Sequence, residues 1–309
     1  MGLGYQIILT QNKDGIFRSG ETVYGVLRCV INKPKKFQFI NVSLKGIGKC
    51  SWTESCVLSK SNHSTFYHGK EKYVSLYKTL LPKIENSMLA GVHDLPFQFQ
   101  LPPDLPSSFK DKICKIKYKV VAEISNAGFF GCTKKVEAEI QVRGILKRCS
   151  TEPLVFGLTK SPFTIKKTVD LKIEIEKTFL EPGEKIKLKC VVSNATNLPI
   201  ICLKIMLITQ TTYTSDDKHK HVQRQVIDRS VGESREIQGN CITELYCSVA
   251  TLENLYSIQH SRILMREYKL NVALKFPFPH RDGTVEIPVV IGESNVPGLM
   301  YSNISYNVY

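Results

Sequence analysis

The strongest constraint on the fold is a step of two in the apolar residues, which recurs along almost the whole chain. In segment 136–143, Val, Ala, Ile and Val alternate with Glu, Glu, Gln and Arg. The same alternation returns in four later segments, 171–176, 185–192, 268–274 and 285–291. Because successive side chains of a strand point to opposite faces of a sheet, each segment has one apolar and one polar face. The pattern predicts many short antiparallel strands, packed as sandwiches or barrels.

One segment also allows a helix. In residues 244–255, Leu245, Val249 and Leu252 follow spacings of four and three. Such spacings fit one face of a helix, but a short run cannot be assigned from its period alone. Both interpretations stay open for this segment.

The two halves of the chain repeat the same landmarks. The segment FRSGETV at 17–23 returns as FLEPGEKI at 179–186, and Tyr118 in YKVVA is matched by Tyr268 in YKLNV. A shared strand order in two copies is the simplest explanation, and 309 residues are enough for two cores. We predict domains at residues 1–148 and 165–292, a linker at 149–164 and a short tail at 293–309.

The N-terminus has neither the basic and apolar segments of a signal peptide nor a myristoylation signal, and no apolar stretch approaches the ~18 residues of a membrane span. We therefore expect a cytoplasmic protein. In a reducing compartment its ten cysteines should be free thiols, most of them buried as small apolar residues. No metal or other cofactor is predicted.

Positive charge is concentrated in the first half of the chain. Residues 1–148 contain 23 Lys and Arg against 11 Asp and Glu, which accounts for +12 of the total charge of +14. A field of one sign on one domain attracts anionic partners such as acidic or phosphorylated peptides, lipid headgroups or nucleic acid. The charge alone does not distinguish among them.

The landmarks, taken in order, resemble the arrestin superfamily, and most closely its α-arrestin or arrestin-domain-containing branch. Those in the first half are SGETVYG at 19–25, PKK at 34–36, VSLKG at 42–46, WTE at 52–54, AGVHDLPFQFQLPPDLPSSF at 90–109 and IKY at 116–118. Those in the second half are PGE at 182–184, EY at 267–268 and IPVVIG at 287–292. The resemblance implies an all-β chain of two tandem antiparallel immunoglobulin-like β-sandwich domains, the arrestin fold.

The resemblance further implies a non-catalytic adaptor that recognises cytosolic segments of membrane proteins and directs their trafficking and endocytosis. Its expected partners are acidic or phosphorylated tails of receptors or transporters and other α-arrestins, with recruitment to the plasma membrane or endosomes and peripheral membrane association. Typical members bind the WW domains of ubiquitin ligases through Pro-Pro-x-Tyr, which this sequence lacks. We therefore expect no direct WW docking. The alternative is a retromer-type or structural scaffold that binds only soluble proteins.

The candidate site for an anionic partner lies in the segment KDKICKIKYK. Lys115, Lys117 and Lys119 share one face of the predicted strand, about 6.5 to 7 Å apart, without acidic neighbours nearby in the sequence. The alternative is that lysines on the polar face only keep the sheet soluble or protect an edge. Lys35 and Lys36, beside Pro34 in a predicted turn, are secondary candidates, although an isolated cluster of this kind is more often plain loop charge.

Other candidates are weaker. Cys50, Cys56, His63 and His68 could be drawn as a metal site, but their cysteine spacing is too wide for a zinc hairpin. Cys241 matches the position of a redox cysteine in one family member, against the alternative of a buried thiol. His219 and His221 are expected to be solvated loop residues. Tyr301 and Ile304 fit a tyrosine-based sorting motif in the tail, or a frayed end.

Enzymes and nucleic-acid binders are disfavoured. The sequence has no Gly-x-Ser-x-Gly, phosphate-binding loop or His-Glu-x-x-His motif, so no catalytic residue is assigned. The lysine strip has no exposed aromatic residue interleaved with it, as single-stranded nucleic acid would need.

Overall fold

The computed structural model describes residues 4–10, 15–58, 61–81, 87–127, 133–146, 153–162 and 165–293. All regular structure in these residues is β-strand, as the step of two predicts. The first ten strands are β1 Gly4–Leu9, β2 Ile16–Arg18, β3 Thr22–Ile31, β4 Lys35–Leu58, β5 Ser61–Leu81, β6 Ser87–Met88, β7 Gly91–Gln100, β8 Phe109–Lys110, β9 Cys114–Asn126 and β10 Thr133–Arg143. Nine more follow: β11 Leu154–Lys160, β12 Val169–Ile175, β13 Phe179–Leu180, β14 Lys185–Asn194, β15 Cys202–Thr214, β16 Lys220–Glu233, β17 Cys241–Ala250, β18 Leu264–Lys275 and β19 Gly283–Ile291.

The five alternating segments lie in strands, except for Glu176 just after the end of β12, and the segment 244–255 begins in β17 rather than in a helix. In β17 the inward positions 245, 247 and 249 are more buried than their neighbours, so the step of two decides the assignment. Within the described residues, no helix is long and apolar enough to cross a membrane.

Four sheets contain these strands. Two are formed by the first ten strands, in the orders β1-β3-β7 and β2-β10-β9-β4-β5, with β6 added beside β4 and β8 beside β9. The other two have the orders β11-β12-β14-β17 and β13-β19-β18-β15-β16. The described pairings are antiparallel except for two short ones, β2 with β10 and β13 with β19.

The predicted internal repeat is confirmed by this strand order. Strands β12, β14 and β17 take the places of β1, β3 and β7, and the five strands of the last sheet follow the order of β2-β10-β9-β4-β5. Each domain therefore has its own apolar core, one around Phe37 and Tyr118 and the other around Ile173 and Tyr268.

The repeated Gly-Glu pair forms the same turn in both domains. Gly20 and Gly183 both have φ of 86°, the left-handed region that glycine occupies without strain. The carboxylate of Glu21 then accepts the amide of Arg18, and that of Glu184 accepts the amide of Glu181. The glycine reverses the chain and the glutamate satisfies an amide in the turn, which explains why the two residues occur together.

The repeated tyrosine is buried in each core and bonds back to the chain twelve residues earlier. Tyr118 donates its hydroxyl to the carbonyl of Pro106 at 2.7 Å, and Tyr268 donates to the carbonyl of Tyr256 at 3.4 Å. Burial raises the pKa of Tyr118 far above its usual value, so it remains a neutral donor.

We expect Tyr118→Phe to lower the free energy of unfolding by about 1 to 2 kcal/mol, because it leaves a buried carbonyl without its short hydrogen bond. Tyr268→Phe should cost less, since its hydrogen bond is longer. Urea denaturation of both variants measures the difference. Equal losses would show that the short bond of Tyr118 does not stabilise its domain more strongly.

The chain forms two compact units. The described residues of the first unit lie within 4–144, 208–226 and 257–267, and those of the second lie within 145–207, 227–256 and 268–293. The turn before β16 and the segment before β18 thus belong to the compact unit of the first half of the chain. The boundaries at 148 and 165 stay a prediction.

Candidate functional site

The predicted lysine strip follows the exposed face of β9. Lys115 is exposed, Lys117 and Lys119 are half-buried, and the residues between them are buried in the first core. The apolar face of β9 therefore fixes the strand, and its lysines are held on the opposite side of the sheet.

Two of these lysines contact carboxylates on the neighbouring strand β10. Lys117 pairs with Glu139, and Nζ of Lys119 lies 2.7 Å from Oε1 of Glu137. The hydrogen bond with Glu139 raises the pKa of Lys117. Sequence reasoning missed these glutamates, although their own alternation had placed them on the polar face of the next predicted strand.

Lys115 has a different environment. Its pKa is lowered, first by its hydrogen bond with Lys117, then by desolvation and by the charges of Lys117 and Lys110. Because its neighbours are cations, an anionic ligand would stabilise the charged form of Lys115. Lys115 is also the member of the strip that a ligand reaches without displacing a described carboxylate.

The paired lysines line a cleft of about 310 Å³ together with Lys45, Ile47 and the two glutamates. An acidic or phosphorylated ligand entering this cleft would compete with Glu137 and Glu139 for the same ammonium groups. A phosphate brings more charge than one carboxylate, so a phosphorylated ligand would compete with these glutamates more strongly than a singly charged one.

Lys35 and Lys36 do not join this cleft. They form the first two residues of β4 and pair with β6, and Nζ of Lys35 lies 5.8 Å above the ring of Phe37. Lys45 lines the cleft and lies opposite Lys119 of β9. It is nine positions after Lys36 along β4, a distance of about 30 Å at the usual rise per residue. A ligand that spans both groups must therefore be an extended segment.

His219 lies in the turn before β16, as expected of a loop residue, whereas His221 lies on β16. Both side chains are half-buried and have partners, so the expectation that they are solvated is wrong. The imidazole of His219 stacks on the ring of Tyr67 with centroids 4.0 Å apart. Its Nε2 lies 3.0 Å from Oε2 of Glu54, and Nδ1 of His221 lies 3.3 Å from Oε1. These residues and Trp52 belong to the first compact unit, and the 165 positions between Glu54 and His219 hid their contact from sequence reasoning.

The residues of the weaker candidate sites lie in different environments. Cys50 is buried and its thiol faces the carbonyl of Thr214, whereas His68 is exposed opposite Ser51, so the two point to opposite faces of β4 and β5. The side chains of Cys56 and His63, and Tyr301 and Ile304 of the tail motif, lie outside the described residues. Among the residues that are described, no cluster of three metal-ligating side chains occurs. Cys241 is half-buried and donates to the carbonyl of Gln238.

Comparison with known proteins agrees with this architecture. The family model for the N-terminal domain of arrestin (or S-antigen) matches residues 6–147, and the model for the C-terminal domain matches residues 166–296. Arrestin domain-containing protein 5 of Bos taurus is 24% identical over 96% of this chain and 93% of its own length. Arrestin domain-containing protein 17 of Caenorhabditis elegans is 25% identical over 92% of this chain and 69% of its own length.

A shorter match is closer in sequence. Arrestin domain-containing protein 1 of Homo sapiens is 32% identical over 37% of this chain and 24% of its own length. The fold, the repeated strand order and both family models indicate the same family, and membership of that family supports an adaptor-type role in general. The chain belongs to the arrestin family, in its arrestin-domain-containing branch.

Proposed function

We propose that the chain is a non-catalytic, cytoplasmic adaptor that binds acidic or phosphorylated cytosolic segments of membrane proteins and directs their trafficking. The observation that carries the proposal is the lysine face of β9, where Lys117 and Lys119 already hold carboxylates and Lys115 has cationic neighbours. The +12 charge of residues 1–148 supports it, because the same domain attracts anions over a longer range.

The alternative is a scaffold that contacts only soluble proteins. Proximity labelling in the native cell separates the two functions, with the chain fused to a biotin ligase. The adaptor should label cytosolic segments of transmembrane proteins, and the variant Lys115→Ser/Lys117→Ser/Lys119→Ser should lose them. Labelling restricted to soluble proteins, unchanged in the variant, would favour the scaffold.

Without a Pro-Pro-x-Tyr motif, the chain should bind isolated WW domains of ubiquitin ligases no better than an unrelated polypeptide. WW grooves recognise a polyproline II segment, which paired prolines adopt at low entropic cost. The pair Pro102-Pro103 is followed by Asp104 and Leu105, so no tyrosine completes a motif there. A pull-down with purified WW domains measures this, and micromolar binding to any of them would contradict it.

A further inference from the structure

Four lysines form a straight row across four neighbouring strands of the first domain. Lys110 on β8 is directly opposite Lys115 on β9, Lys115 is opposite Lys49 on β4, and Lys49 is opposite Lys70 on β5. All four side chains are exposed. We call this set the transverse lysine row. It runs at right angles to the strip along β9 and shares only Lys115 with it.

The row places like charges next to each other. Neighbouring strands lie about 4.7–4.9 Å apart, so the row extends over about 15 Å. Like charges directly opposite each other destabilise a sheet. The pKa of Lys115 is lowered first by its hydrogen bond with Lys117, and the charge of Lys110 in the row adds a smaller part of the shift. Such an arrangement does not stabilise the folded domain, whereas an anionic partner would neutralise its charge.

The nearby described carboxylates do not form ion pairs with the lysines of the row. Glu71 accepts the backbone amide of Arg262, Asp111 accepts the amides of Ile113 and Cys114, and Glu139 pairs with Lys117. Asp216 accepts the backbone amide of Lys70 and lies 3.5 Å from the guanidinium of Arg262. Within the described part of the chain, none of the four lysines has an ion-pair partner. The row is therefore a concentrated and accessible cationic surface.

An exposed aromatic residue lies on the same face. Phe66 is four positions from Lys70 along β5, so their side chains point to the same side of the sheet. The Phe66 side chain is 65% exposed and its ring stacks on His68, which lies between the two. Aromatic side chains beside lysines are typical of surfaces that meet the boundary between lipid and water.

The arrangement of the charges favours a membrane over a phosphorylated peptide at this surface. Lys117 and Lys119 of the β9 strip line a cleft with Glu137 and Glu139, whereas the row crosses four strands with all its side chains exposed. A line of such charges across an open sheet suits the diffuse negative charge of a lipid leaflet. We propose that the transverse lysine row and Phe66 dock on the anionic leaflet of a membrane. The inference goes beyond the peptide-binding function and does not depend on it.

Co-sedimentation with vesicles tests the proposal. The full chain is mixed with phosphatidylcholine vesicles that contain about 30 mol% phosphatidylserine, and with pure phosphatidylcholine vesicles. Binding should require phosphatidylserine and weaken as salt rises, because screening shortens the reach of exposed charges. The variant Lys49→Gln/Lys70→Gln/Lys110→Gln should bind at least about tenfold more weakly. Phe66→Ser should weaken binding as well, by loss of apolar contact.

The matched control removes the same charge elsewhere. Lys185, Lys187 and Lys189 alternate along β14 of the second domain, and their replacement by glutamine should leave most of the vesicle binding intact. Thermal melting confirms that each variant folds, and the row variant should be no less stable than wild type because it relieves repulsion.

Three results would overturn the proposal. The row variant and Phe66→Ser could bind vesicles like wild type, or the β14 control could lose as much binding as the row variant. The row variant could also lose a phosphopeptide while retaining vesicles, which would assign the row to peptide. Peptide binding by the Lys115, Lys117 and Lys119 variant is measured separately, so failure of the membrane site is distinguishable from failure of the adaptor function.

Discussion

Replacing Gly46 by alanine is expected to lower the free energy of unfolding by about 3 kcal/mol, at the upper end of the usual cost of overpacking. Gly46 is buried on β4, opposite Tyr118 on β9 and Val74 on β5. A Cβ at this position would lie 2.5 Å from Cε1 of Tyr118 and 2.8 Å from Cγ1 of Val74. Tyr118 cannot move aside cheaply, because its hydroxyl is bonded to Pro106.

Thermal melting measures the effect, with Gly157→Ala as the matched control. Gly157 also lies in a strand, but the nearest atom to its added Cβ is the carbonyl oxygen of Leu171 at 3.6 Å, an ordinary contact. That variant should be unchanged or gain about 0.5 kcal/mol through the unfolded state. If Gly46→Ala melted at the same temperature as wild type, Tyr118 would not be packed against β4 as described.

Cys247 should be alkylated at least about 100-fold faster near neutral pH than the buried thiols. Cys247 lies on β17, diagonally across from Cys190 on β14, and lines an open groove of about 710 Å³. The hydrogen bond from the Cys190 thiol lowers the pKa of Cys247, although partial desolvation opposes the shift. By contrast, burial raises the pKa of Cys29 and Cys50 to about 11.

The measurement is iodoacetamide labelling between about pH 6 and 9, read by peptide mass spectrometry. Because the thiolate is the reacting form, Cys247 should reach its full rate at a lower pH than Cys29 and Cys50. Cys190→Ala removes the donor and should slow Cys247 while leaving Cys241 unchanged. A Cys247 that is as slow as Cys29, or indifferent to Cys190→Ala, would contradict the assigned contact.

Features of the fold that repeat locally could be predicted from the sequence. The step of two in 136–143 and 268–274 predicted strands because burial of one face is a property of each segment alone. The segments around the Gly-Glu pairs at 20–21 and 183–184 predicted a repeated strand order, and the structure shows that both pairs form the same turn, in a φ region that glycine occupies without strain. The segment 244–255 needed the structure, because its short run fitted two periods.

Contacts between distant segments could not be predicted in the same way. Glu54 meets His219 and His221 only because the turn before β16 packs in the first compact unit. The row formed by Lys49 and Lys70 depends on the register of β4 against β5. A shift of one residue would place the two side chains on opposite faces of the sheet. The glutamates that pair with Lys117 and Lys119 lay within reach of prediction, because their alternation was visible.

The most direct test of the adaptor function is the affinity of the chain for a peptide carrying several phosphoserines, measured by fluorescence anisotropy. Wild type should bind the phosphorylated peptide more tightly than its unphosphorylated form, and more weakly as salt rises. Lys115→Ser/Lys117→Ser/Lys119→Ser should reduce affinity at least about tenfold, whereas Lys185→Ser/Lys187→Ser/Lys189→Ser, an equal loss of charge on β14, should not. Equal affinity of wild type and the β9 variant would contradict the assignment of this face as the binding site.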